Sequence, residues 1–379
     1  MHKVTIHNLG NADCCRIDLA NGKKILFDFA HVKSDDTDDL RNDLQSSLRE
    51  DLAASKRSHY EVVAFTHLDC DHFRGSTEFF WLDHDTKYQG KGRLELRTMW
   101  VPAAFITETA VPDEEGKILQ REARHRFKQG RGIRVFSRPE RLADWCGKNG
   151  ISLEDRRSLT TDAGKVPPDF NLQDDELEFF VHSPLAVRQN ETTVEDRNGD
   201  SIVVQAVFSV GGIQTKMLLM ADCPWEELGH IVRVTKIKKN DSRLEWDIIK
   251  LPHHCSYKSL AEDKCEDKDV LKPTDEARWL YETKGAIGGF IVSTSEPIPD
   301  KGSEEDKDPQ PPHRQAANYY KCAVKPINGR FLVTMEHPDS RSPEPIVVEI
   351  TNRKAFLKQP VVGGVVSILS HSAPRAGLH

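Results

Sequence analysis

The stretch Glu61–Gly75, EVVAFTHLDCDHFRG, decides how this chain is read. Val62, Val63, Ala64 and Phe65 form an apolar run with β character that stops at Thr66, and His67, Asp69, Asp71 and His72 follow within six positions. The pattern predicts a buried strand ending in a loop of metal-ligand side chains. Imidazoles and carboxylates at alternate positions on a tight loop can all turn toward one or two divalent ions, the arrangement from which hydrolytic metal sites are built. A polar turn with Asp71 capping a following helix is the other reading of the same residues.

The remaining composition narrows the class. The chain has 379 residues, 37% hydrophobic and 30% charged, which suits one large α/β domain or two ordinary ones and excludes a disordered chain. No apolar run approaches the roughly 18 residues of a membrane span. The opening MHKVTIHNLG lacks the apolar core of a signal peptide, so a soluble, cytoplasmic protein with no membrane partner is expected. Eight cysteines without regular spacing make no disulfide framework and are expected as reduced thiols.

The segment THLDCDHFRG resembles the second motif of the metallo-β-lactamase fold. It is similar, more narrowly, to the soluble metallohydrolase domain of ComEC-type DNA-uptake proteins, in which an Asp, here Asp69, replaces the second His of the motif. Further segments match in order. HNLGNADCCRI with KKILFDFAH resembles the opening hairpin, LEFFVHSP and RNGDSIVVQAVF the middle strands, TKMLLMADCPWEE the strand ending in Gly-Asp, and WDIIKLPHHCSYKSL the Lys-x-x-His-His-Gly-Ser element. The resemblance implies an α/β fold, a four-layer αββα metallo-β-lactamase-like sandwich over residues 1–355. Residues 104–175 read as a helical, basic insertion and 356–379 as a C-terminal tail.

It also implies a site. The expected metal ligands are His67, Asp69, Asp71, His72, Asp222 and His253, holding one or two ions; the expected catalytic groups are Asp71, Lys250 and His254. Asp28 is expected either behind the ligands or as a plain turn residue. Asp222 follows the apolar run Met217–Met220, where a carboxylate can bridge two cations or cap the helix that begins at Pro224. Of the neighbours His253 and His254, one should face the metal while the other diverges and serves as a general acid. Lys250 is a cation suited to a phosphate. His182, Asn198 or water is expected to complete the first metal shell. A carboxylate-rich set makes Mn²⁺, or Mg²⁺, an option beside Zn²⁺.

Cys70, Cys223 and Cys255 each adjoin an expected ligand and are read as bystanders rather than a soft-metal site. Cys255 stands where the family has Gly, which is tolerable only if the backbone there avoids positive φ.

The leading function is a metal-dependent phosphodiesterase or nuclease. Hydrolysis of another ester, a lactone, a cyclic nucleotide or an isopeptide, and a non-catalytic binding protein on the same scaffold, are the alternatives. The net charge of −7 gives no general attraction for nucleic acid. Lys117–Arg141, however, carries nine Lys and Arg against two Glu, which is either a polyanion surface or a solvated helix face.

Overall fold

The computed structural model describes residues 1–186, 197–264 and 268–358; most of the expected tail at 356–379 lies outside them. Strands are numbered in chain order. Sheet A runs β15 (Lys354–Leu357), β14 (Ile346–Thr351), β1 (His2–Ile6), β2 (Cys15–Asp18), β3 (Lys24–Phe27), β4 (His59–Ala64), β6 (Leu94–Pro102) and β5 (Phe80–Trp81), with β7 (Ile133–Phe136) also on β6. Sheet B runs β13 (Arg330–Val333), β12 (Gly285–Ser293), β11 (Trp246–Lys250), β10 (Ile213–Leu219), β9 (Val203–Val210) and β8 (Leu177–Ser183).

Alternating side chains sort three cores. Ile25, Phe27, Val62 and Ala64 of sheet A face Phe179, Val204, Met217, Leu219 and Ile248 of sheet B across the middle of the sandwich. Their neighbours Leu26 and Val63 point outward, under helices α1 (Leu44–Ala54), α4 (Glu114–Gln129) and α5 (Glu140–Lys148). Leu218, Ile249 and Ile291 likewise point outward under α6 (Trp225–Ile237), α7 (Asp275–Thr283) and α8 (Arg314–Ala323). The result is a four-layer αββα sandwich. The short helices α2 (Ser76–Phe79) and α3 (Ala103–Thr107) complete the sheet A side. Among the described residues no helix is long and apolar enough to cross a membrane.

Two elements differ from expectation. The leucine repeat from Leu40 predicts a helix over 36–54, but α1 begins at Leu44. Asp43 caps it by accepting from the Ser46 N–H, while the Asp39 carboxylate folds the preceding segment onto Ser34 and Arg41 and leaves Leu40 exposed. The segment 104–175 is not wholly helical either. After α4 stops at Gly130, which takes the left-handed φ of +75°, the run Ile133–Phe136 extends sheet A beside β6.

Strand direction places the site. β1, β3, β4 and β6 run the same way in sheet A, as do β10, β11, β12 and β13 in sheet B. The loops that follow β1, β3, β4, β10, β11 and β12 carry the chemistry described next.

Candidate metal centre

Asp13, His72, Asp222 and His254 come from the loops after β1, β4, β10 and β11. Each offers one ligand atom, and these atoms lie within 4.8 Å of one another in a buried position. Among the described residues this is the one His, Cys, Asp and Glu group with that geometry.

Neighbouring residues aim these side chains. Asp28, at the end of β3, accepts from the Thr66 N–H (2.7 Å) and hydroxyl (2.9 Å) and lies 2.9 Å from His72 Nδ1. With Nδ1 engaged there, Nε2 is turned to the group, where it sits 3.2 Å from Asp222 Oδ1. Asp28 is therefore a positioning carboxylate rather than a simple turn residue. His254 Nδ1 lies 2.6 Å from the Thr294 carbonyl after β12, which directs its Nε2 to Asp71 Oδ2 at 3.0 Å. Lys250 Nζ donates to Asp13 Oδ2 at 2.5 Å and joins the two sheets beneath the group.

Whether these residues suit a cation is tested by their unmet bonds. His67 Nε2, His72 Nε2, Asp13 Oδ1 and Asp222 Oδ1 are buried and make no hydrogen bond of good geometry, although His72 Nε2 and Asp222 Oδ1 are in ion-pair contact at 3.2 Å. Orphaned imidazole nitrogens and carboxylate oxygens aimed at one another are costly as they stand, and a divalent ion would satisfy them together. Two imidazoles with two carboxylates and no thiolate suit Zn²⁺ or Mn²⁺, and the imidazoles disfavour Mg²⁺. The residues fit a divalent metal.

Electrostatics agree with a site built around positive charge. Burial opposes ionisation of Asp222, yet His72 and His254 beside it hold its carboxyl well below the usual range. For His72, burial favours the neutral ring, but the carboxylates of Asp28, Asp222 and Asp71 outweigh it and raise its pKa. His254 rises to about 9 against its own burial penalty, through Asp222 and Asp71. Lys250 is also raised, because Asp13 overcomes the cost of burying the ammonium.

The expected residues fall into three sets. His72 and Asp222 are in the group. Asp222 does not cap α6, whose N-cap is Pro224. His67 and Asp71 border it: His67 Nε2 is 4.0 Å from Asp222 Oδ2, and Asp71 Oδ2 is 3.6 Å from His72 Nε2. Asp69, on the outer side, is 3.7 Å from His67 Nε2 and accepts from Arg197 Nη1 at 3.2 Å.

His253 and His254 exchange their expected places. His253, His254 and Cys255 all take left-handed backbone, φ +48°, +51° and +64°, so the simple divergence of side chains at a strand end does not apply. His254 turns into the group. His253 stands outside it with its ring 81° to that of His254, and burial lowers its pKa although Asp222 works the other way. Lys250 is engaged by Asp13 rather than presented at the mouth of the site.

Other expected residues resolve by position. His182 Nε2 is bound to the Arg243 carbonyl at 2.8 Å and lies away from the group, while Asn198 Oδ1 is buried without a partner. Cys223 and Cys255 lie in the core outside sheet B and Cys70 packs against the core outside sheet A, so the three thiols do not converge. Asp13 is the member that sequence reasoning missed. Its signal was faint, a carboxylate in the turn after a strand whose C-terminal end faces the same way as β4.

The basic segment is largely tied down. Lys117 pairs with Glu114, Arg134 with Asp169 and Arg138 with Asp162. Arg124 donates to the carbonyls of Ile106 and Glu108, and buried Arg126 to Glu122 and to the carbonyls of Leu96, Arg97 and Gly132.

No family model matches the chain. No curated protein matches it either. Among solved structures it aligns with one described as a new diphosphatase from the PhnP family, at 10% identity and a TM-score of 0.36, over 92% of this chain and 98% of that one. So loose a superposition carries no argument, and the fold assignment rests on the layers and strand order above. The narrower resemblance to ComEC-type domains finds no support in these comparisons.

Proposed function

We propose that this chain is a metal-dependent hydrolase of phosphodiesters. The observation that carries the reading is the convergence of Asp13, His72, Asp222 and His254, with unmet polar atoms, at one end of the sandwich. A divalent ion held by these residues would supply Lewis-acid chemistry, activating water and polarising a phosphoryl oxygen.

The protein's own groups do the rest. Asp28 and the Thr294 carbonyl keep His72 and His254 in one orientation, so the ligand set is preorganised. Lys250 fixes Asp13. Asp71, partly exposed and 3.0 Å from His254 Nε2, would ligate or take a proton from the attacking water. His253 stands outside the group with its pKa lowered by burial, so its neutral ring would accept a proton rather than donate one.

A small diester is favoured over long nucleic acid as the substrate. Of the nine cations that suggested a polyanion surface, Arg124, Arg126 and Arg134 are bound within the fold, and Lys117 and Arg138 are paired with Glu114 and Asp162 nearer the surface. The test is to load the protein with Zn²⁺ or Mn²⁺ and assay bis-p-nitrophenyl phosphate, single- and double-stranded DNA, RNA and p-nitrophenyl acetate, each with and without chelator. Chelator-sensitive cleavage of the diester is expected. Cleavage of the carboxylate ester alone, or of nothing, contradicts the reading.

A further inference from the structure

Arg197 stands one carboxylate away from the metal group. Its guanidinium is gripped along one edge by Glu108, the C-cap of α3 at the end of β6: Nε lies 3.0 and 3.1 Å from the two carboxylate oxygens, and Nη2 lies 2.5 Å from Oε1. Glu108 is held in turn, since Arg124 donates to its carbonyl at 3.0 Å and to that of Ile106 at 2.8 Å. Arg197 is thereby fixed in orientation, with only its Nη1 side directed at the site.

That side meets Asp69. Nη1 donates to Asp69 Oδ1 at 3.2 Å, and the other oxygen of the same carboxylate is 3.7 Å from His67 Nε2, a buried atom with no hydrogen-bond partner. Asp69 is the half-exposed member of this chain of contacts, with 35% of its side chain accessible, so its carboxylate can swing toward His67 without moving the backbone. A guanidinium accepts a carboxylate oxygen or a non-bridging phosphate oxygen in the same planar geometry. A carboxylate lying on an otherwise clamped arginine beside a metal-ligand cluster occupies the position a substrate anion would take.

We propose that Arg197 is the anion-recognising residue of the site, binding a non-bridging oxygen of the substrate phosphate in the place that Asp69 fills in this structure. The assignment deepens the phosphodiesterase reading and rests on it for the identity of the anion. It gives the site selectivity for anionic diesters over neutral esters, because an uncharged phosphoryl oxygen competes poorly with Asp69 for the guanidinium.

The experiment compares wild type, Arg197→Lys, Arg197→Gln and Glu108→Gln after metal loading. Binding of inorganic phosphate is measured by calorimetry. The KM and kcat are then taken for bis-p-nitrophenyl phosphate and for its neutral methyl ester, with metal content and circular dichroism recorded for each protein. Losing a hydrogen bond to a charged group should weaken phosphate binding by roughly 10- to 100-fold in Arg197→Gln. The diester KM should rise by a similar factor, and the preference for anionic over neutral ester should collapse while bound metal is retained. Arg197→Lys should recover part of the phosphate affinity, and Glu108→Gln, which loosens the clamp but leaves the cation, should fall between. A purely structural arginine would lower melting temperature and move both substrates together. Phosphate affinity within about twofold of wild type in Arg197→Gln, or no phosphate binding by wild type, overturns the assignment. If Arg197→Gln does not fold, unchanged phosphate affinity in both Arg197→Lys and Glu108→Gln overturns it equally. Phosphate binding that depends on Arg197 in a protein that cleaves no diester upholds the anion site and sinks the hydrolase reading.

Discussion

Replacing Lys250 by Met tests the ion pair beneath the metal group. The methionine side chain follows the lysine stem and leaves little void, so the change removes a charge more than it removes packing. Asp13 Oδ2 accepts from Lys250 Nζ at 2.5 Å, Asp13 Oδ1 has no partner, and the next cation, His72 Nδ1, is 3.7 Å from Oδ2. Both side chains are almost fully buried. Removing one partner of such a pair strands the other in a dry interior, which costs about 3–5 kcal/mol. The metal-free protein should therefore lose that much in urea unfolding. Bound metal gives Asp13 another cation, so the metal-loaded protein should lose distinctly less, and the apparent metal affinity of the mutant should rise by linkage. Adding Asp13→Asn to Lys250→Met removes the stranded charge and should restore much of the metal-free stability. A cost below about 1 kcal/mol in the metal-free protein, of the size seen for solvent-screened pairs, would refute the buried-pair argument. An equal cost with and without metal would show that Asp13 does not face the ion.

Asp222→Asn keeps the shape and loses the charge that faces His67, His72 and His254, so activity should drop by about two orders of magnitude or more, with circular dichroism unchanged; near wild-type turnover would leave Asp222 without a role in the site. Metal affinity should rise with pH, because the ion must displace the proton on His254, whose pKa is about 9. Each displaced proton adds about tenfold in apparent affinity per pH unit below that value, and calorimetry in buffers of different ionisation heat should detect proton release. The sign for stability is the opposite. The raised His254 pKa stabilises the metal-free fold fully below the unfolded value near 6.5, and that contribution is lost as pH rises through about 9, so the metal-free melting temperature should fall across this window. Salt should have little effect on diester cleavage, less than about twofold between 50 and 200 mM, whereas a nuclease tracking a phosphate backbone would lose affinity steeply over the same range.

The parts of the site that lie in one short segment were legible in the sequence. A β run followed at once by His67, Asp69, Asp71 and His72 places those side chains in a loop at a strand end, and β4 does end at Ala64. Asp222 was legible for the same reason, following the apolar run of β10. Asp13 was not, because Asp is common in turns and nothing local distinguishes one that faces a site. Its partner Lys250 lies 237 residues away and is brought to it only when the two sheets face each other. The exchange between His253 and His254 was hidden in the backbone, since three successive left-handed residues, one of them Cys255 rather than Gly, reverse which ring turns inward. The condition placed on Cys255, that its backbone avoid positive φ, is not met, and the fold carries the strain next to its ligands. Counting charges over Lys117–Arg141 overstated a surface. Arg126 and Arg134 are buried residues whose guanidiniums satisfy carbonyls and carboxylates inside the fold, a use that composition does not distinguish from an exposed patch.

The central claim is that Asp13, His72, Asp222 and His254 hold a divalent ion. Anomalous diffraction from crystals of metal-loaded protein, collected above and below the Zn or Mn absorption edge, locates that ion directly. A strong peak among His72 Nε2, His254 Nε2, Asp222 and Asp13, at ligand distances of about 2.0–2.2 Å, is the predicted result. A peak elsewhere, or full metal loading in solution with no peak at this group, would contradict it.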